Sequence, residues 1–266
     1  MPFDADKELT VITRNLTTGY HAGRREVVVS RDINETLRLG EFTCLLGPNG
    51  AGKSTVLKTM SAFLPPLGGK ILIAGKELRD YKKNELSKII GVVLTERLSI
   101  TNMTAFELVA TGRSPYTGFW GGRSQEDDEV IERSMSLTGS LSLRNRRVNT
   151  LSDGERQKVM IAKALAQETP VIFLDEPTSF LDYPSKVEIM RLLRSLAHEE
   201  NKVVFLSTHD LEIALQLTDH VWLMDKKRGL VSGSPAQLSE NGKIAEYFNS
   251  PGMVYDPASR RFEIIE

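Results

Sequence analysis

LLGPNGAGKST, residues 45–55, sets three glycines, a proline and an asparagine around one lysine, Lys53. Such a stretch is a poor helix and a poor strand. It follows an apolar run, FTCLL (42–46), and a helix is expected from Lys53 onward. Gly47, Gly52, Lys53 and Ser54 satisfy G-x-x-x-x-G-K-[ST] in the strand–loop–helix setting that the pattern requires. Without side chains in the way, successive backbone N–H groups can turn inward around phosphate oxygens. The start of the helix adds a partial positive charge. Lys53 is positioned to reach β- and γ-phosphates, and the Ser54 hydroxyl to ligate Mg²⁺.

Working outward, short branched runs alternate with helix-like stretches. EVVV (26–29), FTCLL (42–46), IIGVVL (89–94), VIFLD (171–175), VVFLS (203–207) and HVWLM (220–224) read as strands. Several are apolar on both faces, as strands between two layers of helix must be. Helices are expected at 153–167, 185–199 and 210–218, with a further one at 235–248 and a hairpin at 254–264. Between residues 96 and 167, TAFE (104–107) and SQED (124–127) look like capping-box helix starts with few strand signals among them. The expectation is an α/β fold with a helical insertion.

With 266 residues and a formal net charge of -1, the chain can bury a sizeable core and has none of the basic excess of a protein that coats nucleic acid. Its one cysteine, Cys44, lies in an apolar run and fits a reducing compartment. No apolar run approaches the length of a membrane span, and MPFDADKELT has no signal-peptide core. Any membrane role must come through partners.

VIFLDEP (171–177) ends a buried strand in two adjacent carboxylates, at the sheet edge where the glycine loop also lies. Two roles suit two acids: Asp175 to hold Mg²⁺, Glu176 to orient and deprotonate an attacking water. His209, in FLSTHD, ends another strand and reaches the same edge, where an imidazole donor can sense a γ-phosphate. His21, His198 and His220 have no such setting and read as surface or packing residues.

Taken with LSDGERQ (151–157), these elements resemble, in order over about residues 8–235, the ATP-hydrolysing subunit of an ABC transporter. The resemblance implies a P-loop NTPase of RecA-like type, with a mostly parallel sheet core, an N-terminal antiparallel β subdomain and an inserted helical subdomain. It implies a core of residues 1–95 and 168–233, a signature subdomain at 96–167 and a C-terminal extension at 234–266. It further implies that Tyr20 stacks on adenine, and that Gly47, Pro48, Asn49, Gly50, Ala51, Gly52, Lys53, Ser54 and Thr55 hold the phosphates of ATP. Ser152 and Gly154 match the family signature and Asp182, in SFLD (179–182), its D-loop. One chain carries one P-loop and one signature, so the resemblance implies a head-to-tail homodimer closed by two ATP molecules. Ser152 and Gly154 would present a hydroxyl and free N–H groups to the γ-phosphate held by the other copy.

Three positions depart from the family pattern. Asp153 and Glu155 add two carboxylates beside an anion site. Where the family places a metal-touching glutamine, VVLTERL puts Thr95, followed by Glu96, and either can supply the oxygen. The segment ELVATGRSPY (107–116) resembles importer ATPases for ferric siderophores, haem and cobalamin, which implies integral-membrane permease subunits docking near residues 95–121 and an exported substrate-binding protein acting indirectly. Tyr116, Phe119 and Trp120 suit an exposed docking spot, with a loop that tucks its aromatics inward as the alternative. The implied place is cytoplasmic, peripheral on the inner face of the membrane. An exporter ATPase, a soluble ATPase and a slow nucleotide switch stay open as rivals.

Overall fold

A strand apolar on both faces is stable only when both faces are covered, and the three most apolar runs lie at the centre of the molecule. A computed structural model describes residues 9–23, 25–94, 102–117 and 122–265. The first part of the chain runs β1 (Thr10–Ala22), β2 (Arg25–Ile33), β3 (Thr36–Arg38), β4 (Phe42–Leu46), α1 (Lys53–Met60), β5 (Gly68–Ile73), β6 (Lys76–Glu77), α2 (Lys83–Leu86) and β7 (Ile90–Val93). Three helices follow, α3 (Ala105–Ala110), α4 (Gln125–Leu137) and α5 (Asp153–Ala166). The chain then returns to the sheet with β8 (Val171–Asp175), α6 (Tyr183–His198), β9 (Val203–Thr208), α7 (Leu211–Leu217), β10 (His220–Asp225) and β11 (Gly229–Gly233). It closes with α8 (Pro235–Glu240), α9 (Lys243–Phe248), β12 (Met253–Asp256) and β13 (Arg261–Ile264).

The central sheet has the order β11-β10-β4-β9-β8-β7, parallel except for β11. Every residue of β4, β8 and β9 is buried. The strand period of two sends alternate side chains to opposite layers. Cys44, Leu46, Ile172 and Leu174 pack with α6 on one side, whereas Leu45, Phe173, Phe205 and Trp222 pack with α1 and β1 on the other. There the rings of Phe173 and Phe205 meet edge to face at 5.8 Å. A second, antiparallel sheet, β2-β1-β5-β6 with β3 on β1, covers this latter side.

Helices α3, α4 and α5 close a separate apolar cluster around Val109, Ile131, Met135 and Val159. Both expected capping boxes are formed: Thr104 with Glu107 at α3 and Ser124 with Asp127 at α4. The single helix expected at 235–248 is instead two, α8 and α9, because Gly242 takes a left-handed φ of 68° between them. Among the described residues no helix is long and apolar enough to cross a membrane.

Candidate nucleotide site

Parallel strands deliver their last residues to one edge. The carboxyl ends of β4, β8 and β9 bring together the glycine loop, the two acids and His209. Two loop glycines are required by contact. A Cβ on Gly47 would lie 2.4 Å from the Met224 carbonyl oxygen, and one on Gly52 would lie 2.0 Å from Val29 while φ stands at +110°. Gly52 gives α1 no side-chain cap, and the first turn carries no acid, so its N–H groups remain donors for an anion.

Lys53 is buried, and its ammonium donates to the Gly47 carbonyl at 2.9 Å while lying 3.6 Å from Glu176 Oε1. Asp175 and Glu176 point to different neighbours. Asp175 Oδ1 accepts from Ser54 Oγ at 2.9 Å and from Ser207 Oγ at 2.6 Å. Glu176 sits at φ +45°, a conformation costly for a side-chain-bearing residue. Its N–H donates to the Ser207 carbonyl at 3.0 Å. Its Oε2 accepts from Ser179 Oγ at 3.0 Å and lies 3.3 Å from His209 Nδ1. One carboxylate thus joins lysine, serine and histidine at the mouth of the glycine loop. Tyr20, from β1, lines the same cleft of about 610 Å³ with Val27, Asn49, Gly50, Thr55 and Lys226.

Ser152, Gly154 and Asp182 lie elsewhere, in a separate cleft of about 370 Å³ that shares no residue with the first. Ser152 Oγ accepts from the Glu155 N–H at 3.2 Å, and the Ser152 N–H donates to Glu155 Oε2 at 2.9 Å. The Ser152 N–H is therefore engaged by its own helix cap, which corrects the expectation of a free donor there. The Ser152 hydroxyl is engaged by the same carboxylate, whose charge it also favours. The Ser152 N–H bond, more than any other contact, holds the Glu155 carboxyl below the ordinary range. Asp182 caps α6, accepting from the Ser185 N–H at 3.1 Å.

Thr95, Glu96, Phe119 and Trp120 lie outside the described residues. Tyr116 is half-exposed but engaged. The Arg113 guanidinium stands 4.2 Å over its ring, Lys88 4.9 Å, and its hydroxyl donates to the Gln167 carbonyl at 3.1 Å. Ser207 was not singled out from sequence. Its signal was the parallel register, which pairs Asp175 with Ser207 across β8 and β9.

A phosphate-binding loop joined to an acid pair and a strand-end histidine on a parallel sheet defines a P-loop ATPase. The chain belongs to the ABC transporter family, whose description matches residues 30–179, and it is an ATP-binding subunit that hydrolyses ATP. It is 40% identical over 252 residues to an uncharacterized ABC transporter ATP-binding protein of Methanocaldococcus jannaschii, covering 95% of this chain and 86% of that one. It is 32% identical over 241 residues to the ferric enterobactin transport ATP-binding protein of Escherichia coli, covering 91% and 88%. A dimeric bacterial ABC transporter cassette superposes with a TM-score of 0.73 at 28% identity, covering 85% of this chain and 98% of that chain.

Proposed function

We propose that this subunit powers an importer of iron-chelate, haem or cobalamin-type compounds, closing on ATP as a head-to-tail homodimer and reopening when ATP is split. One observation carries the reading: Lys53 and Glu176 line one cleft, with His209 3.3 Å from Glu176, while Ser152 and Gly154 line another on the same chain. Neither cleft holds a full set of groups for a terminal phosphate, and a second copy supplies the missing half. The relative named for ferric enterobactin transport supports the iron-chelate cargo. The segment around Arg113 and Tyr116 supports permease docking near residues 95–121.

In this reading the glycine loop and Lys53 hold the triphosphate, and Tyr20 stacks on the base. The entering γ-phosphate draws Lys53 away from the Gly47 carbonyl and Glu176. Glu176, freed of that ammonium, takes the proton of the attacking water, and His209 turns its imidazole to the γ-phosphate. Mg²⁺ fits the donors present. Ser54 and Asp175 converge as hard oxygens, and one carboxylate with phosphates is the usual protein share of such a site. When bound, the ion would neutralise charge on the β- and γ-phosphates.

The test is Glu176→Gln. The variant is expected to keep ATP binding while hydrolysis falls by roughly 10²- to 10⁴-fold, so that gel filtration with ATP shows a trapped dimer. Normal turnover by that variant would remove Glu176 as the base.

A further inference from the structure

The signature cleft poses an electrostatic problem. Asp153, Glu155, Asp182 and Glu188 line it beside a single lysine, Lys158, yet under the dimer reading it must receive a triphosphate. We infer that Arg146 is a positioning residue that solves this: it clamps and neutralises Glu155, so that the carboxylate which caps α5 does not repel the ATP carried by a second copy. The inference rests on the dimer proposed above.

The geometry is specific. Both oxygens of Glu155 are engaged, Oε2 by the Ser152 N–H at 2.9 Å and Oε1 by Arg146 Nη1 at 2.8 Å. Arg146 Nη2 donates to the Thr150 carbonyl at 2.7 Å, which fixes the guanidinium across the loop that leads into α5. Asp153 pairs with Arg156 at 3.4 Å. Lys158 is held by Glu188 at 2.6 Å, so it is not at liberty to answer Glu155. The Arg146–Glu155 pair is partly exposed, at 44% and 32% of the side chains, and such a pair adds little to folding. Its weight changes when a second copy covers the ledge. Water is then excluded, screening weakens, and an unneutralised carboxylate faces the terminal phosphate directly.

The experiment measures ATP-driven dimer formation by analytical ultracentrifugation in the Glu176→Gln chain, alongside ATP binding to the single subunit and thermal melting. Adding Arg146→Gln is expected to weaken the dimer roughly 3- to 10-fold while single-subunit ATP affinity stays within about twofold. Melting is expected to stay within about 2 °C of the parent. Adding Glu155→Gln as well is expected to restore the dimer, because no charge is then left to neutralise. A dimer unchanged by Arg146→Gln overturns the inference. So does a double variant that stays as weak as Arg146→Gln, since a role confined to shaping residues 146–150 would not be rescued at Glu155. A Glu176→Gln parent that never pairs with ATP overturns the dimer itself, and this inference with it.

Discussion

The two clefts of this chain solve the same task, gripping a phosphate, with opposite packing. In the glycine-loop cleft Lys53 and Asp175 are buried, and the working groups are already bonded to one another: Lys53 to Gly47, Ser54 to Asp175, Glu176 to Ser179 and His209. In the signature cleft they ride on an exposed helix start, where Ser152 and Glu155 are engaged in capping the helix. The first can exchange internal partners for a ligand without help. The second gains a phosphate only when another molecule brings one. The energetics of the first cleft therefore lie in ligand exchange and those of the second in association.

Removing a group from each cleft should therefore fail in different ways. Lys53→Ala strips the only buried cation of the loop and should lower ATP affinity by roughly a hundredfold or more, read by equilibrium binding to the single subunit. Gly154→Asp should leave that affinity untouched. A Cβ there meets only Ser185 atoms, at 3.5–3.7 Å, which is ordinary van der Waals contact, so the chain can fold while the ledge gains a charge. Each variant alone should lose hydrolysis. Mixed in equal amounts they should regain about a quarter of the wild-type rate, because half of the random pairs contain one intact composite site. No recovery in the mixture would break the division of labour between the clefts.

The same contrast explains what the sequence disclosed. The loop residues were legible because backbone geometry dictates them: no side chain can replace Gly47 or Gly52. The buried strands were legible because nothing but an apolar run can fill β4, β8 and β9. By contrast, β1 went unrecognised. Its stretch TVITRNLTTGYHA carries exposed polar residues among the buried ones and shifts register twice against β2. Ser207 and Arg146 were hidden for a different reason. Their partners, Asp175 and Glu155, are fixed by strand register and by a loop turn, neither of which leaves a local pattern in the chain.

A third test asks how firmly the helical layer that presents the signature is tied to the sheet. Arg113 is buried and bonds to Asp127 at 2.8 Å, to Glu168 at 2.6 Å and to the Ala166 carbonyl at 2.9 Å. It thereby joins α4 to the end of α5 just before β8. Arg113→Ala leaves a buried carboxylate without its cation and should cost about 3 kcal/mol, or about 6–12 °C in melting temperature. A loss no larger than that of an exposed ion pair would mean that apolar packing alone holds the layer.

The smallest effect is a dependence on pH confined to that layer. The Ser124 N–H at the cap of α4, followed by Arg113, pulls the Asp127 carboxyl down to about 2. An unfolded aspartate titrates near 3.9. Because the folded value is the lower one, Asp127 stabilises the fold at every pH above the unfolded value. That contribution fades as pH falls through about 2, where the folded carboxyl takes up its proton. With screening by nearby water allowed for, it amounts to about 1–2 kcal/mol. Asp127→Asn should therefore melt lower than wild type at pH 7, and the gap should narrow steadily between about pH 4 and pH 2. The contrast between the clefts adds a second reading of the same titration. Single-subunit ATP affinity, which depends on the other cleft, should show no difference between wild type and Asp127→Asn at neutral pH. A difference there would mean that the helical layer already bears on the glycine loop within one chain, before any second copy arrives.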